Sequence, residues 1–259
     1  MTLHHTARPR VDREDELALI TRLVRGQTPA RIILIEAPSG MGKSELLREF
    51  RARRPDDLPI VVVDFKTGPL TLADTLFQIC DTLGQSHFPT LTQVVQHIIQ
   101  PAAIHITHNI LIGQNEISAA LAGPDQQTRD QRRSQLTAAL ITDLRALGRI
   151  TLIFDTFEQC DPSLQTWLAS VFLPAAHRSP QLPVIVAGQH IPEPTQMWDA
   201  ETLPLAGIAP EHWQDYAHAV GATLTLVDIR AFCFALQGNC LAIAQTITRA
   251  IEIQGGQRL

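Results

Sequence analysis

Apolar positions along the chain follow two rhythms. Short, nearly continuous apolar runs lie at 32–35, 59–64, 150–154, 182–188 and 202–205. Runs of this length suit strands buried on both faces. Between them, apolar residues recur at three- and four-residue spacing and predict helices over 12–25, from Lys43 onward, and over 71–83, 91–99, 129–147 and 163–172. Strands alternating with helices imply right-handed crossovers and an α/β fold, a parallel sheet flanked by helices. After 205 the rhythm turns purely helical, over 209–220, 224–236 and 239–253. The expected division is an α/β domain over 1–207 and a small helical subdomain over 208–259.

One stretch, 101–125, breaks this alternation. Ile104, Ile106, Ile110 and Ile112 repeat with period two, 113–115 has turn composition, and 116–121 has room to return as a second strand. The expectation is a β-hairpin inserted into the sheet domain. His105 and His108 then read as cross-strand surface residues, since no acidic or cysteine partner stands at ligand spacing. In the helix that follows, Leu136, Leu140, Leu144 and Leu147 share one face, and Arg129, Arg132 and Arg133 make a solvated start.

The chemistry concentrates at two strand ends. Ala37-Pro38-Ser39-Gly40-Met41-Gly42-Lys43-Ser44 fits the phosphate-loop pattern G-x-x-x-x-G-K-[ST], with Ala37 in the first glycine position. An apolar strand precedes it and an amphipathic helix with Leu46, Leu47 and Phe50 follows. Backbone N–H groups of such a turn converge on an anion, and the helix start adds a positive dipole end. Lys43 is expected on the β- and γ-phosphates, and the Ser44 hydroxyl on Mg²⁺. The chain holds only two lysines, Lys43 and Lys66, against nineteen arginines, so a lysine at this position by chance is improbable. The second landmark is the run from Ile150 to Phe154 ending in Asp155, the form of a Walker B strand whose aspartate holds Mg²⁺. Glu158, three residues on, reads either as the carboxylate that deprotonates the attacking water or as a solvated loop residue.

Composition narrows the class. Apolar residues make up 45% and charged ones 18%, as in a folded globular protein. A formal charge of −5 gives no direct nucleic-acid signal. No apolar run approaches the roughly 18 residues of a membrane span, and no secretory leader is legible, so a cytoplasmic location is expected. The four cysteines lie far apart in apolar contexts and read as reduced interior thiols.

These motifs, in this order, resemble the STAND-type (NACHT/AP-ATPase-like, AAA+-related) P-loop ATPases. Leu152-Ile-Phe-Asp-Thr-Phe-Glu158 is similar to their Walker B segment, with Thr156 where many AAA+ relatives place glutamate. Val11-Asp12-Arg13-Glu14-Asp15-Glu16-Leu17 resembles the family segment that lies beside the nucleotide base, with Asp12 for the usual glycine; the resemblance brings Arg13 to the nucleotide. The plain alternative is an acidic helix start capped by Asp12. The resemblance also implies a γ-phosphate sensor after the 182–188 strand, here Gln189 or His190. Leu236-Gln-Gly-Asn-Cys-Leu-Ala-Ile243 resembles the Gly-x-Pro-Leu-Ala motif of the helical subdomain, with Cys240 for proline; a Gly-Asn turn between two helices is the plain alternative, and the two are compatible.

ATP or ADP with Mg²⁺ is therefore the expected ligand. Neither lysine nor arginine occurs between Arg178 and Arg230, so no arginine finger is expected after the sensor strand. Two functions stay open: a slowly hydrolysing regulatory switch in signalling or defence that acts through a protein partner or self-assembly, and a non-catalytic interaction module stabilised by nucleotide. A small-molecule kinase is a distant third, for want of a lid rich in arginine. Whether the chain is a compact unit or a piece of a longer protein is also open.

Overall fold

Three aliphatic runs, β1, β3 and β4, form the centre of one sheet because each buries both faces, while β2 and the short polar β5 are its half-exposed edges. The computed structural model describes residues 12–54, 58–67, 71–99 and 113–256. Their order is α1 (Glu14–Val24), β1 (Ile32–Glu36), α2 (Lys43–Arg53), β2 (Ile60–Asp64), α3 (Leu72–Leu83), α4 (Pro89–Ile99), α5 (Gln114–Leu121), α6 (Gln126–Ala146), β3 (Thr151–Asp155), α7 (Pro162–Trp167), α8 (Leu173–His177), β4 (Val184–Gly188), β5 (Glu201–Pro204), α9 (Pro210–Ala219), α10 (Leu226–Ala235) and α11 (Cys240–Gly256). The sheet runs β2-β3-β4-β1-β5, and every pair is parallel.

Alternation along each strand sorts the core into two layers. Ile32, Leu34, Val61, Val63, Leu152, Phe154, Val184 and Val186 join one cluster with α3 to α8. Ile33, Ile35, Ile153, Ile185 and Ala187 point the other way, onto Leu17, Ile20, Leu23, Leu46, Leu47 and Phe50 of α1 and α2. Each such aliphatic side chain contributes about 1.5–3 kcal/mol by leaving water, so the register is strongly specified. A third cluster, built on Trp213, Ala217, Ile229, Ile243 and Ile247, holds α9, α10 and α11 together and shares no buried residue with the other two.

The pairing that matters most for function lies at the carboxyl ends. Glu36 of β1 is level with Gly188 of β4, Asp155 of β3 with Ala187, and Asp64 of β2 with Asp155. Four loops therefore leave the sheet side by side along one edge, the place where open parallel sheets bind ligands.

Two expectations need correction. The segment expected to return as a hairpin strand, 116–121, belongs to helix α5. Ile117 and Ala120 are fully buried and Leu121 packs beside them, a helical spacing that seats α5 on α3 and α4. The other half of that hairpin, with His105 and His108, lies outside the described residues. The helix expected to stop at Phe172 instead continues through a π-helical turn, Leu168–Phe172, into α8. The wider turn lets Pro174, which has no N–H, sit in the helical run.

Several buried polar groups tie the helices together. The indole of Trp167 donates to Thr137 Oγ1 (2.8 Å) and that of Trp198 to the Ala169 carbonyl (3.0 Å). Asp143 on α6 is buried, and its carboxylate accepts the N–H groups of Thr90 (3.2 Å) and Leu91 (2.8 Å) at the start of α4. It is a helix cap supplied by a neighbouring helix. Asp143→Ala is expected to lower unfolding free energy by about 2–3 kcal/mol, and Asp143→Asn, which keeps one acceptor oxygen, by less. Denaturant melts of the three proteins check this; equal midpoints would contradict it.

Candidate functional site

The turn after β1 can form because Gly40 (φ +81°) and Gly42 (φ +92°) adopt the left-handed backbone that side-chain-bearing residues avoid. A Cβ on Gly42 would meet no atom within 4 Å, so the loop is open on that side. The loop carbonyls, by contrast, are clasped in sequence. Lys43 Nζ donates to the carbonyls of Ala37 (2.5 Å) and Pro38 (3.1 Å). Asn239 Nδ2 donates to Ser39 O (3.0 Å), the Leu241 N–H to Gly40 O (2.9 Å), and Arg13 Nη2 to Met41 O (3.3 Å). Five consecutive carbonyls are thus drawn to donors from three parts of the chain, while the Ala37 N–H donates to Gly188 O (3.2 Å) and the Met41 N–H to Pro38 O (3.4 Å).

Lys43, nearly buried at the start of α2, faces Glu158 and Asp155. Burial pushes its ammonium below the usual lysine range, and the two carboxylates oppose that drop only in part. Asp155 is buried at the end of β3, with the Thr156 hydroxyl 3.5 Å from its Oδ1. Thr156 is held in left-handed backbone (φ +63°), a costly conformation for a β-branched residue. That turn carries the chain back, so that Glu158 lies over the end of β4. There its Oε2 accepts the Gln189 N–H (2.9 Å) and its Oε1 the Gln189 side-chain amide (3.1 Å). A Cβ on Gly188 would stand 2.9 Å from Glu158 Oε2 and 2.6 Å from the His190 carbonyl, so glycine is required beneath that carboxylate. Burial opposes ionisation of Glu158, but the Gln189 donors and Lys43 outweigh it and hold the carboxyl below its ordinary range.

The chemistry of these donors fits a magnesium nucleotide. A helix start, a loop of backbone amides and a buried ammonium suit polyphosphate. Ser44 and Asp155 supply one hydroxyl and one carboxylate, which is what Mg²⁺ takes when phosphate oxygens and waters complete its shell.

Other expected residues stand elsewhere in the site. Arg13 bridges parts of the chain: besides Met41 it reaches Ala206 O (2.8 Å), Glu16 (2.7 Å) and the Cys240 thiol (3.8 Å). Asp12 accepts the Glu14 N–H (3.0 Å) at the start of α1 and lies 3.2 Å from His212 of α9. The N-cap is Arg13, without a side-chain cap bond, so Asp12 stands one residue ahead of the cap position expected of it and bonds the first helical N–H from there; the contacts to other elements are what this segment adds. Gln189 turns both its donors to Glu158, and His190 is exposed. Cys240 has a thiol raised by burial, with Arg13 beside it pulling the other way.

Two residues of the site escaped the sequence reading. Asn239 holds the loop tip, and Lys66 reaches Ser44 Oγ at 2.6 Å. The scarcity of lysine, together with a strand ending in Asp64 just before Lys66, was the usable signal for the second. The first lies in the 236–243 segment that the family resemblance had marked, though not for this side chain.

A phosphate loop at the end of a central parallel strand, with an acidic strand end beside it, defines a P-loop nucleotide-binding domain. A family model described as the AAA ATPase domain matches residues 10–186, and the chain belongs to that family. It is an ATP-binding AAA+ domain. Among solved structures, it is similar to a STAND protein with a tetratricopeptide repeat sensor from Pyrococcus horikoshii, with TM-score 0.53 and 14% identity over 90% of this chain and 29% of that one. It is also similar to a Walker-type ATPase of Pyrococcus abyssi, with TM-score 0.51 and 15% identity over 96% of this chain and 73% of that one. At these identities the likeness is one of fold. A curated Ras-related protein of Arabidopsis thaliana is 43% identical over 63 residues, 23% of this chain and 30% of that protein. The chain thus spans less than a third of the length of the STAND protein and of the Ras-related protein.

The clasp can be tested without nucleotide. A Cβ on Gly40 would fall 2.5 Å from Asn239 Oδ1 and would also strain the loop. Gly40→Ala is expected to speed amide exchange at Leu241 by at least about tenfold while leaving β1 and β4 protected. Unchanged exchange at Leu241 would show that the contact does not hold the two parts together.

Proposed function

We propose that this domain is a slow ATP-dependent switch, reading nucleotide at the phosphate loop and passing the state to α9–α11. The observation that carries this reading is the clasp of the loop tip by Asn239 and Leu241. A ligand that re-seats Ser39 and Gly40 changes the contacts available to α11, and a nucleotide can shift the two parts only through such differential contacts.

The roles follow from the geometry. Loop amides and Lys43 bind the phosphates, with Lys43 exchanging its carbonyl partners for phosphate oxygens. Ser44 and Asp155 would hold Mg²⁺, which neutralises phosphate charge when bound. Glu158 takes the proton of the attacking water. Held below its ordinary range by Gln189 and Lys43, it is a weak base, which supports slow turnover. The stretch 179–229, without lysine or arginine, points the same way. The STAND likeness supports a regulatory role in signalling or defence, through a protein partner or self-assembly. Among the described residues, no helix is long and apolar enough to cross a membrane.

The second reading, a non-catalytic module that keeps nucleotide as structural support, is favoured by the Glu158–Gln189 contacts, which occupy both carboxylate oxygens. Steady-state phosphate release separates the two. Lys43→Ala is expected to weaken Mg·ATP binding in calorimetry by at least about tenfold, since a charge-assisted contact is lost. Glu158→Gln is expected to bind ATP like the parent and to lower kcat by about 10²-fold or more. A parent protein that binds ATP but releases no phosphate above the Glu158→Gln background would decide for the second reading; a folded parent that binds neither ATP nor ADP would overturn both.

A further inference from the structure

Lys66 has no part in the roles above, yet it sits at their centre. It is the chain's only lysine besides Lys43, and it lies two residues beyond the end of β2. The register sets Asp64 beside Asp155, so the chain leaves β2 next to the acidic strand end. Asp64 Oδ1 accepts the Lys66 N–H (3.0 Å), a tight turn that sends the side chain back over the crevice. Its ammonium ends 2.6 Å from Ser44 Oγ, on the hydroxyl placed for the metal. It is also close enough to Lys43 to disfavour that second ammonium.

Two lysine ammoniums and the start of α2 therefore converge on one small space. Burial is the main cost to the Lys43 ammonium; Lys66 adds the least, and Glu158 and Asp155 oppose both. A terminal phosphate oxygen beside Ser44 would give the Lys66 ammonium a charged acceptor in place of a neutral hydroxyl, and a diphosphate has no such oxygen to offer. A lysine suits the task because its ammonium is a compact charge on a flexible stem, able to leave Ser44 for an oxygen a short distance away.

We propose that Lys66 reads the γ-phosphate: its ammonium moves from Ser44 Oγ to a terminal phosphate oxygen, making the site prefer triphosphate over diphosphate and supplying in cis the positive charge that residues 179–229 lack. The inference rests on the nucleotide reading above and adds to it the residue that discriminates ATP from ADP. An exposed lysine bonded to a serine for structure alone would contribute little and would show no such discrimination.

Calorimetry on the full chain with Mg·ATPγS and Mg·ADP tests it through binding alone. Lys66→Ala is expected to weaken Mg·ATPγS about tenfold or more while leaving Mg·ADP within about twofold, because one charge-assisted contact to the terminal phosphate is lost. Lys66→Arg, which keeps the charge, is expected to retain most of the preference. Retained ADP binding also shows that the variant site is folded. A parent that binds both ligands and a Lys66→Ala variant with the same ATPγS-to-ADP ratio would overturn the inference and leave the nucleotide reading standing. An equal fall for both ligands would overturn it too, assigning Lys66 to the loop or metal rather than the γ-phosphate. A parent that binds neither ligand would overturn the nucleotide reading itself.

Discussion

Everything at the functional end of the molecule depends on how the phosphate-loop carbonyls are held. A loop that offers its amides to an anion must turn its carbonyls elsewhere, and those carbonyls need donors. Here Lys43 serves Ala37 and Pro38, Asn239 serves Ser39, the Leu241 amide serves Gly40, and Arg13 serves Met41. The donors come from α2, from the start of α11 and from the residue before α1. The anion cradle is thus completed by segments some two hundred residues apart, and a change in the loop is felt by all of them.

Magnitudes separate the sheet from the contacts that the proposed switch would use. The β-strands are fixed by many fully buried aliphatic residues at about 1.5–3 kcal/mol each. The contacts between α11 and the loop are hydrogen bonds with net values of about 1 kcal/mol apiece. The helices α9–α11 also have their own core, so they can shift as a body without opening either layer of the sheet. Gly207 and Gly238 also face each other: a Cβ on Gly207 would lie 3.3 Å from the Gly238 Cα. Two glycines there allow the backbones to touch and leave room for adjustment.

Much of this was legible in the residues. Short continuous apolar runs gave away the strands, the lysine of the phosphate loop stood out against an arginine-rich background, and Asp155 followed from an apolar run ending in a carboxylate. The reading of 116–121 failed because a short segment with Ile117, Ala120 and Leu121 satisfies helical spacing as well as it satisfies a turn and a return strand; its contacts with α3 and α4 decide, and those are tertiary. The 236–243 segment was marked by resemblance, but the bond from Asn239 to Ser39 spans 200 positions and could not be read from it. The turn of Gln189 toward Glu158 depends on the left-handed Thr156, which no propensity foretells.

The central claim is that the nucleotide site and the start of α11 are one coupled unit through the loop tip. Amide NMR of the labelled chain titrated with Mg·ATPγS tests it most directly, following Gly40, Gly42 and Leu241 together. The account predicts that the Leu241 amide, bonded to Gly40 O, shifts with the loop amides along a single binding curve of the same Kd. Loop amides that saturate while Leu241 and the rest of α11 do not move would contradict it.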